Sequence, residues 1–210
     1  MKILKHLKSW EGFLAIILLV IVIVNSLLSE SFLSIENQIN LFVLSIEKVI
    51  IALIMAKIII NAEIDLSVAS MMGLSACALG WFVESGMPMS MALIASITIG
   101  AIGGAFNGFW ITVVKLPSLV VTLAMLIGFR GLARVLIGDR SIKMFPQWFE
   151  DLGQQPFFWN IPFSVMIFIA LLICVVITLE YTGFGRHIYI IGITQNVALY
   201  SGINNAMKII

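Results

Sequence analysis

Apolar runs separated by short polar stretches organise this chain. They occupy residues 13–28, 46–60, 66–83, 89–114, 118–137 and 163–179. None alternates strictly, and each is longer than the roughly ten residues of a barrel strand, so each predicts a helix. Lipid cannot satisfy the N–H and C=O groups of an irregular backbone, which leaves helices to do the spanning. The first two runs are short, and their helices are expected to extend into the polar flanks. The fourth would be about 39 Å long at 1.5 Å per residue. It exceeds a hydrocarbon core of about 30 Å and is expected to tilt. The expected fold is all-α, a polytopic transmembrane helical bundle of about six spans.

Composition supports lipid as the solvent. Residues of the AVILMFWYC set make up 61% of the 210 residues and DEKR 11%. A soluble domain runs near 45–50% and about 25%. At a mean hydropathy of +1.12, one core of this length could not hide so much apolar surface from water. A net charge of +1 supplies no basic field, which excludes nucleic acid as a partner. Cys77 and Cys174 sit inside apolar runs and read as small buried hydrophobes, not a disulfide framework. The start, with Lys2, Lys5 and Lys8 before an apolar run, imitates a signal peptide. No small-residue cleavage site follows, so it reads as an uncleaved first span.

Lys and Arg set the expected orientation. The amino end is basic, the loop after the first run begins with Glu30 and Glu36, and the turn after the third has no positive charge. Lys115 follows the fourth run, and Arg186 and Lys208 follow the sixth. An amino end in the cytoplasm of a bacterial plasma (inner) membrane places these on the inside. Arg140 and Lys143 fall outside, beside Asp139, Glu150 and Asp151. The segment 138–162 is too polar to span. Pro146 opens a stretch suited to a short helix. Trp148, Phe149, Phe157, Phe158 and Trp159 suit the headgroup level, or a docking surface for an external partner.

Enzymatic chemistry finds no footing. There is no G-x-x-x-x-G-K-[ST] loop, no H-E-x-x-H and no G-x-S-x-G elbow. His6 and His187 stand near the ends of spans. No metal site and no cofactor are called for. Gly100, Gly104 and Gly108 recur every four residues, with Gly103 and Asn107 beside them. This face either packs tightly on another helix or lines a pathway with Asn107. Glu63, Asp65 and Ser67 lie between apolar runs, where carboxylates facing lipid would cost several kcal/mol. Asp65 and Ser67 are placed to cap the next helix; a proton or ion site and a substrate-path contact are the alternatives. Lys57 either snorkels or pairs with Glu63. Arg130 and Arg134 share one helix face, for snorkelling to headgroups or for binding a hydroxyl-rich or anionic solute.

At the acidic cluster the chain begins to resemble a known family. Glu63-Ile64-Asp65-Leu66-Ser67-Val68-Ala69-Ser70 is similar to the G-G-I-D-L-S-V-G-S stretch of ribose-type sugar permeases, membrane subunits of bacterial ABC importers. Asn107-Gly108 with Lys115-Leu116-Pro117 resembles N-G…K-I-P, and Val120-Val121-Thr122-Leu123-Ala124 with Arg130-Gly131-Leu132-Ala133 resembles V-T-L-G…R-G-L-A. Thr182-Gly183-Phe184-Gly185-Arg186 with Gly192 resembles T-x-F-G-R…I-G, and Ala198 with Ser201-Gly202-Ile203 resembles A-x-x-S-G-I. These matches keep the family's order across about residues 60 to 205. Glu63, Ala69 and the Phe145-Pro146-Gln147-Trp148-Phe149 stretch look closest to the rhamnose branch, with the autoinducer-2 permeases as close relatives.

The resemblance implies a single permease domain over 1–210, the amino-terminal part of a longer family fold. It implies alternating access with a second permease subunit, homodimeric or heterodimeric. ABC ATP-binding subunits would drive it and an extracytoplasmic solute-binding protein would deliver a monosaccharide. Hydrolysis then falls to the partner, so this chain is not an enzyme. The stretch 192–205 would be a cytoplasmic coupling segment, with Gln195, Ala198, Ser201, Gly202 and Ile203 against the ATPase. Departures are Asn61-Ala62 in place of a glycine-like pair, Ile193-Thr194 for more polar residues, and Leu199 for a basic one. Family members continue for several more spans, so a truncated or partial chain is expected. A proton-coupled secondary transporter using Glu63 or Asp65, or a truncated remnant that transports nothing, are the rival expectations.

Overall fold

A computed structural model describes residues 10–142, 145–154, 156–158 and 161–193. In chain order the elements are α1 (Trp10–Leu28), α2 (Ile35–Ile60), α3 (Val68–Glu84), α4 (Met89–Thr112) and α5 (Ser118–Ile137). There follow α6 (Gln147–Gln154), β1 (Pro156–Phe158), β2 (Ile161–Pro162), α7 (Phe163–Tyr181) and α8 (Gly183–Ile193). Each of the six apolar runs forms a helix, residues 66–67 and 113–114 at the ends of two of them excepted, and the architecture is the expected all-α polytopic bundle. The departure is a small antiparallel ladder of β1 on β2, in the segment read from sequence as too polar to span. By length and apolarity α4, α5 and α7 can each cross a membrane, and Gly12–Leu28 and Val68–Glu84 are shorter apolar helices.

The chain divides into two compact units, Met1–Ile46 and Glu47–Ile210, with the boundary inside α2. In the first unit, α2 begins well before its apolar run. Ser34 explains this: its Oγ accepts the Asn37 N–H at 3.2 Å, satisfying a free donor of the first turn. Glu36 in that turn faces the positive end of the helix. The side-chain amides of Asn37 and Gln38 both donate to the Phe32 carbonyl, at 2.9 and 2.7 Å, and close the turn after α1.

In the second unit α3 packs against both α4 and α5. Its buried Ser70, Leu74 and Ala78 recur every fourth residue and form one face. The glycines of α4 divide their work. A Cβ on Gly103 would collide with the Met71 side chain of α3 and come within 3.2 Å of Phe129 of α5, so its bare backbone is what lets the three helices meet. Gly100 sits against Ser75 in the same way, at 3.2 Å. Small residues at such crossings permit close approach. The remaining surface is apolar and exposed: Ile94 and Ile97 of α4 are 67% and 70% accessible, and α7 buries no residue.

α6 begins directly after Pro146, whose carbonyl accepts the N–H groups of Phe149 and Glu150. The charges at this end of the helices pair locally. Arg140 lies 3.6 Å from Glu84, and Arg134 lies 3.4 Å from Asp139. At the other end, the turn from α7 into α8 accounts for the Thr182-Gly183-Phe184-Gly185 pattern. Thr182 Oγ1 accepts the Gly185 N–H at 3.2 Å, an N-cap bond. A Cβ on Gly185 would overlap the Leu179 carbonyl, and one on Gly192 would overlap the Ile60 carbonyl. Phe184 presents its ring to Lys57, whose Nζ is 4.9 Å from the centroid. Lys57 is thus held by an aromatic face of α8. The helix α8 is fitted to the carboxyl end of α2 at two places, with backbone against backbone at one.

Candidate functional site

Where α2 and α4 end and α5 begins, these three helix ends and the loop that leads into α3 line a cavity of about 160 Å³. Its backbone is shaped first. α2 stops in a Schellman-type turn: the Ala62 N–H donates to the Ile59 carbonyl at 2.9 Å and the Glu63 N–H to Ile58 at 3.3 Å. That turn needs a left-handed residue, and Ala62 supplies it at φ 59°. The loop is then stapled to α5. Ser118 Oγ accepts the Ile64 N–H at 3.5 Å, and Thr122 Oγ1 lies 3.3 Å from the Ile64 carbonyl and 2.8 Å from that of Ser118.

Asp65, Ser67 and Asn107 form a hydrogen-bonded chain inside this frame. Asp65 Oδ1 accepts both the N–H and the O–H of Ser67, each at 2.7 Å. Ser67 Oγ in turn accepts from Asn107 Nδ2 at 2.8 Å, across from α4. The capping expected of Ser67 is therefore corrected, while Asp65 Oδ1 does accept a backbone N–H at the start of α3, that of Ser67. Ser67 is the residue before α3, but at φ −83°, ψ −14° it makes no side-chain bond to the first turn. Its backbone is already helical where a capping serine is normally extended, and Asp65 and Asn107 occupy its oxygen.

This chain also orients Asn107. The single hydroxyl proton of Ser67 goes to the carboxylate, so Asn107 must offer its NH₂ to Ser67, and its Oδ1 points elsewhere. Among the described residues, Asn107 Oδ1 and Asn61 Oδ1 accept no hydrogen bond, although both are buried. Asn61 and Asn107 are 3% and 4% exposed, and both line the cavity. An amide oxygen buried without a donor costs about 1–3 kcal/mol.

The cavity wall also carries Glu63, Asp65 and Lys57, with Gly104 and Gly108 as a side-chain-free strip and Ile54, Ile58 and Ile111 as an apolar face. Of the residues singled out from sequence, Asn107, Glu63, Asp65, Gly104 and Gly108 converge here, and Ser67 is bonded into the same chain. Gly100 does not; it packs on α3. Arg130 and Arg134 stand exposed on the second half of α5, toward the opposite end. About 18 Å of helix separates Thr122 from Arg134, at 1.5 Å per residue. Gln195, Ala198, Ser201, Gly202 and Ile203 lie outside the described residues, as does all of the 192–205 segment past Ile193. Sequence reasoning named Thr122 only within a motif and gave neither Thr122 nor Ser118 a place in a site. Their spacing of four at the start of a helix, one hydroxyl above the other, is the signal that marks them. Among the described residues no group of three His, Cys, Asp or Glu is placed to hold a metal ion.

An apolar helical exterior around a small polar cavity at helix ends defines a multi-pass membrane protein with the build of a permease. Residues 37–209 match the family of branched-chain amino acid transport system permease components, and the chain belongs to that family. It is 35% identical over 160 residues to the autoinducer 2 import system permease protein LsrD of Escherichia coli K12, covering 73% of this chain and 48% of that protein. The same figures hold for the LsrD protein of Shigella flexneri, and identity is 34% for that of Escherichia coli SMS-3-5. The chain thus spans about half the length of the curated relatives it matches. No solved structure matches it.

Proposed function

We propose that this chain is the membrane-spanning permease subunit, or the amino-terminal part of one, of an ATP-driven ABC importer. Its solute is a small hydroxylated molecule, a monosaccharide such as rhamnose or a relative of autoinducer 2. The observation that carries the reading is the family match over residues 37–209, joined to the 35% identity with permeases of an autoinducer 2 import system. The motif series read from the sequence points the same way. ATP-binding subunits, an extracytoplasmic solute-binding protein and a second permease subunit complete the assembly, and the solute crosses by alternating access. The amino end is cytoplasmic, which puts the cavity at the cytoplasmic end of α2 to α5. Residues 192–205 form the coupling segment, with Gln195, Ala198, Ser201, Gly202 and Ile203 meeting the ATPase. Its approach through α8 is supported by the fit of Gly192 on the Ile60 carbonyl, beside the cavity loop.

The test is uptake by a permease carrying this chain, produced with an ABC ATP-binding subunit and a solute-binding protein. Uptake of labelled rhamnose, ribose or autoinducer 2 should be lost when the ATPase is inactivated and should survive an uncoupler. The opposite pattern would establish a proton-coupled carrier using Glu63 or Asp65. Ala198→Glu should uncouple ATP hydrolysis from uptake while the chain stays in the membrane. Unchanged uptake in that variant removes the coupling assignment.

A further inference from the structure

We propose that the exposed stripe of α5 binds the phosphate of an anionic phospholipid through Arg130 and Arg134, with the lipid's chains lying along Leu123 and Ile127. The inference goes beyond the importer reading and does not rest on it. It needs only that α5 spans a membrane, for which the helix is long and apolar enough.

The helix has two sides. Val121, Thr122 and Phe129 are buried, and Phe129 reaches the Gly103 junction with α4. Leu123, Ile127, Arg130 and Arg134 follow one another at steps of four, three and four, all of them exposed, and form one stripe on the other side. Arg130 stands seven residues before the end of α5, about 10 Å along the axis at 1.5 Å per residue. A guanidinium at that depth on a face turned to hydrocarbon is costly unless an anion meets it.

The described residues do not supply that anion. Arg140 is paired with Glu84 and Arg134 with Asp139, while among the described residues Arg130 makes no hydrogen bond and no ion pair. The pair of Arg134 is weak, because both of its side chains are exposed, so Arg134 is free to turn to a better acceptor. Four residues apart on a helix, the two arginines are neighbours, about 5–6 Å apart at Cβ, and one phosphate can accept from both. Their planar forks match phosphate oxygens two at a time. Gly131 lies between them, exposed, and a Cβ added there meets nothing within 4 Å, which leaves the surface open to a headgroup. The stripe then runs on through Ile127 and Leu123 without a charge, and this apolar half selects a lipid over a free anion. Phosphatidylglycerol presents an uncompensated negative charge, whereas phosphatidylcholine brings a cation with its phosphate, so the arginines favour the first.

The test is native mass spectrometry of the purified full chain in detergent, titrated with phosphatidylglycerol or with phosphatidylcholine of the same acyl chains. Phosphatidylglycerol should bind the more tightly. Arg130→Gln should weaken its binding about tenfold, the effect of one lost charge-assisted hydrogen bond. Arg130→Lys, which keeps the charge and loses the fork, should weaken it less. Gly131→Leu fills the open surface and gives the same reading if Arg130→Gln does not accumulate. Arg186→Gln removes an exposed arginine on α8 and should change nothing. Equal binding of the two lipids, a loss in Arg186→Gln as large as in Arg130→Gln, or binding indifferent to both Arg130→Gln and Gly131→Leu overturns the site. Displacement of the lipid by inorganic phosphate would make this a free-anion site and also overturns it. In membranes holding the assembled permease, phosphatidylglycerol with a photoreactive headgroup should label α5 between Leu123 and Val135, and Arg130→Gln should lose that label. No label there in the wild type assigns Arg130 to another subunit and overturns the proposal.

Discussion

Replacing Asp65 by alanine tests the hydrogen-bonded chain that organises the cavity. Asp65 Oδ1 accepts two bonds of 2.7 Å from Ser67, which is itself 1% exposed. Hydrogen bonds to a carboxylate contribute about 1.5–3 kcal/mol each. Asp65 is only half-buried, which favours the lower end and gives a loss of about 3 kcal/mol. A simple helix cap would lose about 1 kcal/mol, so the two accounts differ measurably. Asp65→Asn keeps an oxygen acceptor and should lose about 1 kcal/mol. The assay is reversible unfolding of the purified chain in mixed micelles, repeated in a double-mutant cycle with Asn107→Ala. Ser67 joins the two residues, so the cycle should return a coupling above about 0.5 kcal/mol. A loss within about 0.5 kcal/mol of zero for Asp65→Ala, or strict additivity in the cycle, refutes the chain as the organiser. Normal stability with abolished uptake would instead make Asp65 a contact of the solute path.

Four other perturbations follow from the same geometry. Gly192→Ala forces a Cβ into the Ile60 carbonyl, backbone that cannot rotate away, and should cost about 1–3 kcal/mol of thermal stability, whereas Gly104→Ala should be nearly silent. Ala62→Gly relieves a left-handed φ of 59°; about 1 kcal/mol of strain less about 0.5 kcal/mol of chain entropy leaves a net gain near 0.5 kcal/mol, seen as a higher melting temperature. Gly103→Leu overfills the junction of Met71 and Phe129 and should lower abundance in the membrane, with partial rescue by Met71→Ala. Arg134→Ala removes an ion pair to Asp139 whose side chains are 76% and 90% exposed, and should change stability by less than about 0.5 kcal/mol; loss of uptake in that variant would make Arg134 a pathway residue.

The spans were legible because lipid leaves the backbone one choice, and apolar runs of sufficient length declare it. The ends of the helices were less so. The extension of α2 into its polar flank was expected, but its start at Ile35 depended on Ser34 reaching the Asn37 N–H. The glycine face of α4 was visible as a spacing, but a spacing does not say what approaches. Gly100 and Gly103 meet α3, while Gly104 and Gly108 turn to the cavity. Replacement of a glycine-like pair by Asn61-Ala62 was noted as a departure from the resemblance. Its meaning appears only in the Schellman turn, where Ala62 takes the left-handed position and Asn61 faces inward.

The sequence alone determined that the chain lives in lipid, that each apolar run forms a helix, and which polar residues interrupt them. These follow from local costs: every unpaired backbone group and every charge is expensive in hydrocarbon wherever the rest of the chain lies. It did not determine that Asp65, Ser67 and Asn107 are one hydrogen-bonded unit, that Thr122 belongs beside Ile64, or that Arg130 and Arg134 stand away from the cavity. Those depend on which helix ends meet. Asn107 and Ser67 are forty residues apart along the chain, and only the packing of α3 on α4 and α5, set by where side chains are missing, brings their atoms within 2.8 Å.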